Sequence, residues 1–386
     1  MFFAQITLPK PNSIFNVEEV VFLRNIAKCC DISNEIVMYL DGPYFEHTLC
    51  SISNILNQIY SVFFEENRYI EVFICFCNEE HPLLRISSIR TILTQHSSFD
   101  LSEINQRRKA RGLSNVSLKT ISELIEHDSA PNFLENEAQI MNSLSLAPCD
   151  DAIIKSLKKD KKTKSEQSEY PYRMFSYVAV GGTFDRLHPG HFLLLTISAF
   201  VARDHLHIGL SGPALLQKKQ NASLLQPYSM RRERIIRFVY QIAPSLHVEV
   251  SQLFDPVGPV GGEIEGIECL VVSEETKDAI QIVEQKRREK EEIRKKRQLD
   301  LDKRMSWVKK MLEKEKLEKR EGDADDSFDM ISSWLNEESE YKPLLQMKYI
   351  IVPLCQASSS LSSSSTPSSH AVEKLSSSAL RLLDSS

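Results

Sequence analysis

The sequence predicts an α/β protein in which a doubly wound parallel sheet is preceded by a second α/β domain. Two observations support this prediction. Apolar, strand-like runs alternate with segments of helical periodicity in both halves of the chain, as they do in β-α-β units. A polar run at residues 155–169, with almost no apolar side chain, separates the two halves. We therefore expect an N-terminal α/β domain at 1–150, a linker at 151–172 and a second domain at 173–386.

The N-terminal half contains three segments with a clear pattern. Residues 34–40 and 69–77 are apolar and are predicted strands, and residues 45–67 between them have helical spacing. Residues 100–150 are polar and are predicted to be mainly helical. We find no phosphate-binding loop, metal-ligand cluster or nucleophile motif in the sequence of this half, so its pattern does not indicate a role.

The second half alternates more regularly between strands and helices. Its predicted elements are strands at 177–180, 205–210, 247–250, 269–273 and 348–353, with helices at 191–201 and 231–240. This alternation predicts a parallel sheet whose ligands bind beyond the carboxyl ends of the strands. Opposite charges at helical spacing over residues 284–320 predict one long exposed helix.

Composition limits the class of protein and its partners. The chain has 386 residues, of which 42% are hydrophobic and 26% charged, which is typical of globular domains. A net charge of −6 gives no support for nucleic acid or an anionic membrane as a partner. The N-terminus lacks a secretory pattern, and no apolar run reaches the ~20 residues of a membrane span. With scattered cysteines and no C-x-x-C pair, we expect a cytoplasmic protein with reduced thiols.

The string V-G-G-T-F-D-R-L-H-P-G-H at 180–191 carries the predicted chemistry. A strand ends at Gly181 and Gly182, which would allow the backbone to approach a phosphate closely. A helix then begins, and its N-terminus presents free N–H groups and the positive end of the helix dipole. His188 and His191 stand at that terminus and could donate to phosphate oxygens. The segment is therefore predicted to bind phosphate groups.

This string resembles the H-x-G-H signature of the nucleotidylyltransferase superfamily. More narrowly, G-G-T-F-D-x-L-H-x-G-H resembles the eukaryotic and archaeal type of phosphopantetheine adenylyltransferase. Further segments resemble that family in the same order: Lys218-Lys219, P-Y-S-M-R at 227–231, D-P-V-G-P at 255–259, V-S-E-E-T at 272–276 and K-L-S-S-S-A-L-R at 374–381. The resemblance implies a Rossmann-like nucleotidylyltransferase catalytic domain at 173–386.

The resemblance also implies an activity, in which AMP is transferred from ATP to 4′-phosphopantetheine. The products would be 3′-dephospho-CoA and pyrophosphate, a step of coenzyme A biosynthesis. A phosphate oxygen attacks the α-phosphorus in line, so the protein supplies positioning and hydrogen-bond donors rather than a covalent intermediate. We expect Mg²⁺ to accompany ATP and to be held mainly by the nucleotide phosphates and water, with no protein-held metal site.

Site residues follow from the matching positions. Thr183, His188 and His191 are expected around the reacting phosphates. Either Lys218 or Lys219 is expected to hold the phosphate of the acceptor. The residues expected to bind substrate or ATP are Gly181, Gly182, Thr183, Phe184, Asp185, Lys218, Arg231, Glu275, Thr276, Ser376, Ser377, Ser378 and Arg381.

Two departures from the family pattern shape the domain prediction. In V-E-Q-K-R at 283–287 the arginine is kept, but Glu284 replaces the usual asparagine. The Pro343-Leu344 pair follows only after the charged stretch, so we expect a charged helical insertion at about 289–340. The sequence has no G-x-x-x-x-G-K-[ST] string, so we expect an enzyme without a dephospho-CoA kinase domain, which catalyses one step.

Other functions stay open at this point. The chain could be another nucleotidyltransferase of the cytidylyltransferase or NMN adenylyltransferase type, although their usual R-T-x-G-I-S-T and G-S-F-N-P strings are absent from this sequence. It could also be a non-catalytic scaffold of the coenzyme A pathway. An enzyme that associates with other coenzyme A-biosynthesis enzymes is a further alternative.

Overall fold

A computed structural model describes the residues in the following ranges: 1–10, 13–30, 35–41, 46–66, 70–76, 81–94, 101–120, 172–217, 219, 222–318 and 343–355. The chain divides into two compact units. One comprises Met1–Pro256, Ile267–Lys277 and the chain from Met347, and the other comprises Val257–Gly266 and Asp278–Gln346. Both sheets belong to the first unit, so the predicted division into domains at 151–172 stays a prediction.

The N-terminal sheet has five parallel strands in the order β3-β2-β1-β4-β5. The strands are β1 (Phe2–Thr7), β2 (Glu35–Asp41), β3 (Glu71–Phe76), β4 (Thr91–Thr94) and β5 (Ser117–Thr120). The helices are α1 (Val17–Cys29), α2 (Leu49–Glu66), α3 (Pro82–Arg85) and α4 (Ser102–Ala110). Consecutive residues of β2 and β3 are buried, as expected for parallel strands covered on both faces.

The second sheet also has five parallel strands, in the order β10-β9-β6-β7-β8. The strands are β6 (Phe175–Gly182), β7 (Ala202–Ser211), β8 (His247–Leu253), β9 (Cys269–Ser273) and β10 (Lys348–Val352). The helices are α5 (Pro189–Val201), α6 (Pro213–Leu216) and α7 (Tyr228–Ile242). The predicted fold class, α/β with a doubly wound parallel sheet, is confirmed.

The strand order places a switch point in the middle of the second sheet. From β6 the chain adds β7 and β8 on one side, and then returns to add β9 and β10 on the other. The connections leaving β6 and β9 therefore diverge at the carboxyl edge of the sheet. Ligands of doubly wound sheets bind at such a point.

The second unit is built on one helix, α8 (Ala279–Glu318), which begins earlier than the predicted helix at 284–320. Arg287 fastens it to two neighbouring segments by donating to the carbonyl oxygens of Val260 at 2.9 Å and Leu345 at 2.7 Å. Glu291 accepts a hydrogen bond from the backbone of Leu344 at 3.1 Å. Arg287, the residue kept from the family pattern, thus holds the unit together.

Several elements of the N-terminal half were not predicted. Residues 100–150 were predicted to be mainly helical, yet after α4 the chain forms β5, and residues 121–150 lie outside the described ranges. Strands β1 and β4 were also missed. None of the helices in the described part of the chain combines the length and apolarity that crossing a membrane requires.

Candidate functional site

The candidate site lies at the carboxyl edge of the second sheet, where β6, β7 and β9 end side by side. Residues 183–188 form the loop between β6 and α5. The end of β7 contacts the end of β6 directly, because the Ser211 hydroxyl donates to the Gly182 carbonyl at 3.2 Å. The predicted phosphate-binding string therefore occupies the switch point of the sheet.

The loop has an unusual backbone. Phe184 and Arg186 have φ angles of 49° and 44°, in the left-handed region that non-glycine residues rarely adopt. Such angles persist only where surrounding contacts fix them. The Phe184 side chain is buried and contacts the His191 ring, with ring centroids 5.3 Å apart.

Asp185 fixes this loop from within. Its carboxylate is fully buried and accepts a hydrogen bond from the backbone of Gln226 at 2.8 Å. The neighbouring Arg186 donates to the Asp185 carboxylate at 3.3 Å and to the Leu224 carbonyl at 2.8 Å. The Gln226 side chain in turn accepts from the Arg186 backbone at 3.1 Å. Asp185 thus holds the loop, and its expected contact with substrate stays a prediction.

Arg231 joins three segments around the same loop. Its guanidinium donates to the carbonyl oxygens of Gln226 at 3.0 Å, Thr183 at 2.6 Å and Ser211 at 3.0 Å. Arg231 is only 1% exposed. Arg231 thus positions the loop, and the contact with substrate that the family resemblance implies stays a prediction.

The glycines of the string make room for side chains. A methyl group added at Gly182 would lie 3.0 Å from the Phe184 ring, and one added at Gly190 would lie 3.1 Å from the His188 ring. We expected a glycine at position 182 because a phosphate would approach the backbone closely. In the structure, the Phe184 ring occupies the space beside Gly182. Gly181 has ordinary spacing, with its nearest neighbours at 3.8 Å.

His188 and His191 form a pair at the start of α5. Their ring centroids are 3.9 Å apart, and His188 is the residue that precedes the first helical turn. Its side chain does not cap the helix. The Nδ1 atoms of both rings are buried without a hydrogen-bond partner among the residues that the structure describes. Buried polar atoms of this kind indicate a ligand site or a functional constraint.

Burial keeps both imidazoles neutral. It lowers the pKa of His188 to about 4. The pKa of His191 is well below its ordinary value, first through burial and then through the neighbouring His188 and Lys219, while the backbone of Arg186 offsets part of this effect. Each neutral imidazole has one N–H donor and one acceptor nitrogen. The pair can therefore donate to an anion while carrying no charge of its own.

Lys219 is placed at the same site. Its ammonium group donates to the Thr183 hydroxyl at 2.7 Å, and its side chain is exposed. The structure thus brings Thr183, His191 and Lys219 together. At the end of β9, the Thr276 hydroxyl lies 3.0 Å from that of Ser273, and Glu275 is exposed at the same edge of the sheet.

Five of the predicted site residues fall outside the part of the chain that the structure describes. Lys218, Ser376, Ser377, Ser378 and Arg381 lie outside the described residues. Conversely, sequence reasoning missed Arg186 and Gln226, which fix the loop. The position of Gln226 next to the P-Y-S-M-R string is the one signal that could have indicated it. Within the described ranges, no group of three or more His, Cys, Asp or Glu side chains is arranged to hold a metal ion.

Comparisons with known proteins identify relatives but no matching family model. The phosphopantetheine adenylyltransferase of Saccharomyces cerevisiae is 40% identical over 116 residues, which are 30% of this chain and 38% of that protein. The phosphopantetheine adenylyltransferase of Thermococcus gammatolerans is 32% identical over 31% of this chain and 72% of its own length. That of Pyrococcus horikoshii is 35% identical over 30% of this chain and 72% of its own length. The match thus spans little more than a third of the yeast relative but most of the archaeal ones.

The first prediction concerns Gly182. In Gly182→Ala the new methyl group would press on the Phe184 ring. The ring can move away only if the left-handed backbone at Phe184 changes. We expect a loss of about 1–3 kcal/mol in the free energy of unfolding, measured in urea. Gly181→Ala is the matched control and should lose much less. Equal losses in the two variants would contradict the packing role of Gly182.

The second prediction concerns Arg231. Arg231→Lys keeps the charge but cannot reach three carbonyl oxygens, so buried acceptors lose their partners. We expect a loss of about 2–4 kcal/mol in unfolding free energy. Arg232→Lys, an exposed neighbour on α7, is the control and should stay within about 0.5 kcal/mol of the original protein. A stable Arg231→Lys variant would show that the three bonds do not fix the loop.

The third prediction concerns pH. His188 has an ordinary pKa of 6.5 when unfolded and a pKa of about 4 when folded, so the folded protein binds fewer protons between these values. Because the unfolded protein gains this proton first, the free energy of unfolding decreases as the pH falls below 6.5. When the pH is lowered from about 7 to about 5, we expect His188 to decrease the free energy of unfolding by about 2 kcal/mol.

His188→Asn tests this pH dependence, because asparagine does not titrate and is well suited to precede a helix. Urea unfolding of this variant should depend less on pH than that of the original protein. If His188→Asn and the original protein lose equal stability at the lower pH, His188 is not the group responsible.

Proposed function

Because this chain belongs to the phosphopantetheine adenylyltransferase family, we propose that it transfers AMP from ATP to 4′-phosphopantetheine, giving 3′-dephospho-CoA and pyrophosphate. The observation that carries the proposal is the pair of neutral imidazoles at the start of α5, beside Thr183 and Lys219. The archaeal relatives support it, since the match covers 72% of the length of two of them. The proposal concerns the adenylyl transfer alone.

The start of α5 supplies donors for phosphate oxygens. The first hydrogen bond of the helix runs from Phe192 to the His188 carbonyl at 3.0 Å, so the N–H groups of Gly190 and His191 precede the helical ladder. The His188 side chain does not use them. Together with the dipole of the helix, these groups favour an anion at this end. We place the α-phosphate of ATP here, with the His188 and His191 rings beside it.

The chemical step needs no base on the protein. A phosphate oxygen of 4′-phosphopantetheine forms a bond to the α-phosphorus, and the bond from that phosphorus to the bridging oxygen of the β-phosphate breaks. Pyrophosphate leaves with the electron pair. Negative charge grows on the oxygens of the α-phosphate, where each well-placed donor is worth ~3 kcal/mol in the transition state.

Lys219 and Thr183 are proposed to receive the acceptor phosphate. Their contact at 2.7 Å holds the ammonium group at the end of the loop, and an exposed lysine can follow an incoming phosphate. Lys219 is our choice between Lys218 and Lys219, because its ammonium group contacts the Thr183 hydroxyl at the end of the loop. Glu275 and Thr276, at the end of β9, are proposed to contact the nucleotide from the other side of the switch point.

The remaining residues complete the proposal. Ser376, Ser377, Ser378 and Arg381 are proposed to bind the β- and γ-phosphates, and they lie outside the described residues. Mg²⁺ is proposed to enter with ATP and to neutralise charge on its phosphates. Action in the cytoplasm and association with other coenzyme A-biosynthesis enzymes remain proposals.

The test is pyrophosphate release by the purified full-length chain. We expect release with Mg²⁺-ATP and 4′-phosphopantetheine together, and a loss of about 100-fold or more in kcat for His191→Ala. His205→Ala, a histidine on the exposed part of β7, is the matched control and should retain full activity.

Other substrate pairs distinguish the alternatives. Release with CTP and a phosphoalcohol, or with ATP and NMN, would move the chain to another nucleotidyltransferase activity. No release with any pair would favour a non-catalytic scaffold of the pathway. Full activity of His191→Ala with the proposed pair would show that the site lies elsewhere.

A further inference from the structure

The two sheets of the first unit have the same topology. Each has five parallel strands, and in each the first strand in the chain is central, the second and third lie on one side, and the fourth and fifth lie on the other. The helix that follows the central strand is α1 in the N-terminal sheet and α5 in the second sheet. These two helices therefore occupy equivalent positions in two copies of one fold.

The first residues of these two equivalent helices have different side chains. His188 and His191 occupy the capping position and the third helical position of α5, and Asn16 and Glu19 occupy the same positions of α1. The Asn16 side chain accepts from the Glu19 backbone at 2.9 Å, and the Glu19 carboxylate accepts from the Asn16 backbone at 2.8 Å. This reciprocal capping box satisfies N–H groups that a phosphate would use. It also places a negative charge where an anion would bind.

The turn before α1 is closed as well. Phe15 is fully buried in front of the helix. Its backbone N–H donates to the Gln58 side chain at 3.0 Å, and its carbonyl accepts from the same amide at 3.2 Å. Gln58 is itself buried on α2. The N-terminal copy thus closes the start of α1 with its own side chains, whereas the Nδ1 atoms of His188 and His191 have no hydrogen-bond partner among the described residues.

The N-terminal copy instead contacts α5. Every residue of α5 except Gly190 and His191 is buried, so this helix has no face left for solvent. One side covers β6 and β7, and α2 packs on another. A helix that is apolar all round must be enclosed in this way. The second sheet alone does not supply the enclosure.

A buried hydrogen bond marks the contact between the two copies. The Tyr60 hydroxyl on α2 lies 2.7 Å from the Thr196 hydroxyl on α5, and both residues are buried. The Tyr60 ring also contacts Phe192, with centroids 5.9 Å apart. Phe192 is the residue after His191, so the contact lies within about one turn of the imidazole pair.

We propose that the described part of the N-terminal half is a copy of the fold of the second sheet in which the start of α1 is closed to nucleotide, and that it serves to hold α5, with Tyr60 as the positioning residue. Tyr60 acts through Thr196 and Phe192 on the helix that carries His188 and His191. Small displacements of such donors lower the rate of the chemical step. The part of this inference that concerns rate rests on the proposed function, whereas the closed helix start and the holding role do not.

The holding role is tested by amide hydrogen exchange along α5 in the full chain. Tyr60→Phe keeps the ring and leaves the Thr196 hydroxyl buried without its partner, so we expect exchange about 10-fold faster in α5. Tyr240→Phe is the matched control, since Tyr240 is 63% exposed, and should exchange as the original protein does.

A double variant separates positioning from general damage. Tyr60→Phe combined with Thr196→Val removes both partners of the bond, so slow exchange should largely return. In pyrophosphate release, Tyr60→Phe should lower kcat about 3- to 10-fold with little change in KM, and the double variant should recover part of it. Unchanged exchange of α5 in Tyr60→Phe would overturn the holding role, whether or not the enzyme is active.

The absence of a second nucleotide site is tested by titration with Mg²⁺-ATP. We expect one site per chain, lost in His191→Ala and unchanged in Glu19→Gln. A site that survives His191→Ala and responds to Glu19→Gln would overturn the inference that the N-terminal copy is closed. Failure of the original protein to bind Mg²⁺-ATP would count against the proposed function, while the exchange experiment would still decide the holding role.

Discussion

Arg231 donates to carbonyl oxygens of three segments that meet only at the carboxyl edge of the second sheet. Those segments are the loop after β6, the end of β7 and the turn that precedes α7. The left-handed backbone at Phe184 and Arg186 requires such external support, because neither residue would adopt it freely. One buried guanidinium therefore maintains the conformation in which His191 and Thr183 lie near each other, and the proposed chemistry depends on that conformation.

Burial determines the charge of the two imidazoles. It lowers the pKa of His188 and of His191, so under the proposed function they are neutral donors and Lys219 supplies the positive charge nearby. A charged imidazole pair at 3.9 Å would repel itself in the absence of ligand. The neutral pair avoids that repulsion and remains available to phosphate oxygens. At the same position of the N-terminal copy, Glu19 fills the helix start with its own carboxylate.

Local patterns predicted much of the second sheet and less of the first. The β9 strand was predicted with its observed bounds because a short apolar run stands between polar turns, whereas β4 and β5 have four residues each and carry little periodicity. The string at 180–191 predicted the candidate site but not its packing, because which atom fills the space beside Gly182 depends on how the loop folds. The repeated topology was beyond reach, because strand order is set by contacts distant in sequence.

The helices α5 and α7, which pack on the second sheet, differ in how much of their surface is apolar. This difference explains why a second copy of the fold is needed. The buried residues of α7 are Arg231, Ile235, Phe238, Val239 and Ile242, a single stripe at helical spacing that leaves the other face polar. The α5 helix has no such polar face, and its residues from Phe192 to Val201 are all buried. A second sheet on its own would expose that apolar surface to water, at a cost of ~25 cal/mol per Å². The N-terminal copy encloses it, and because its own helix start is closed, it can do so without competing for nucleotide.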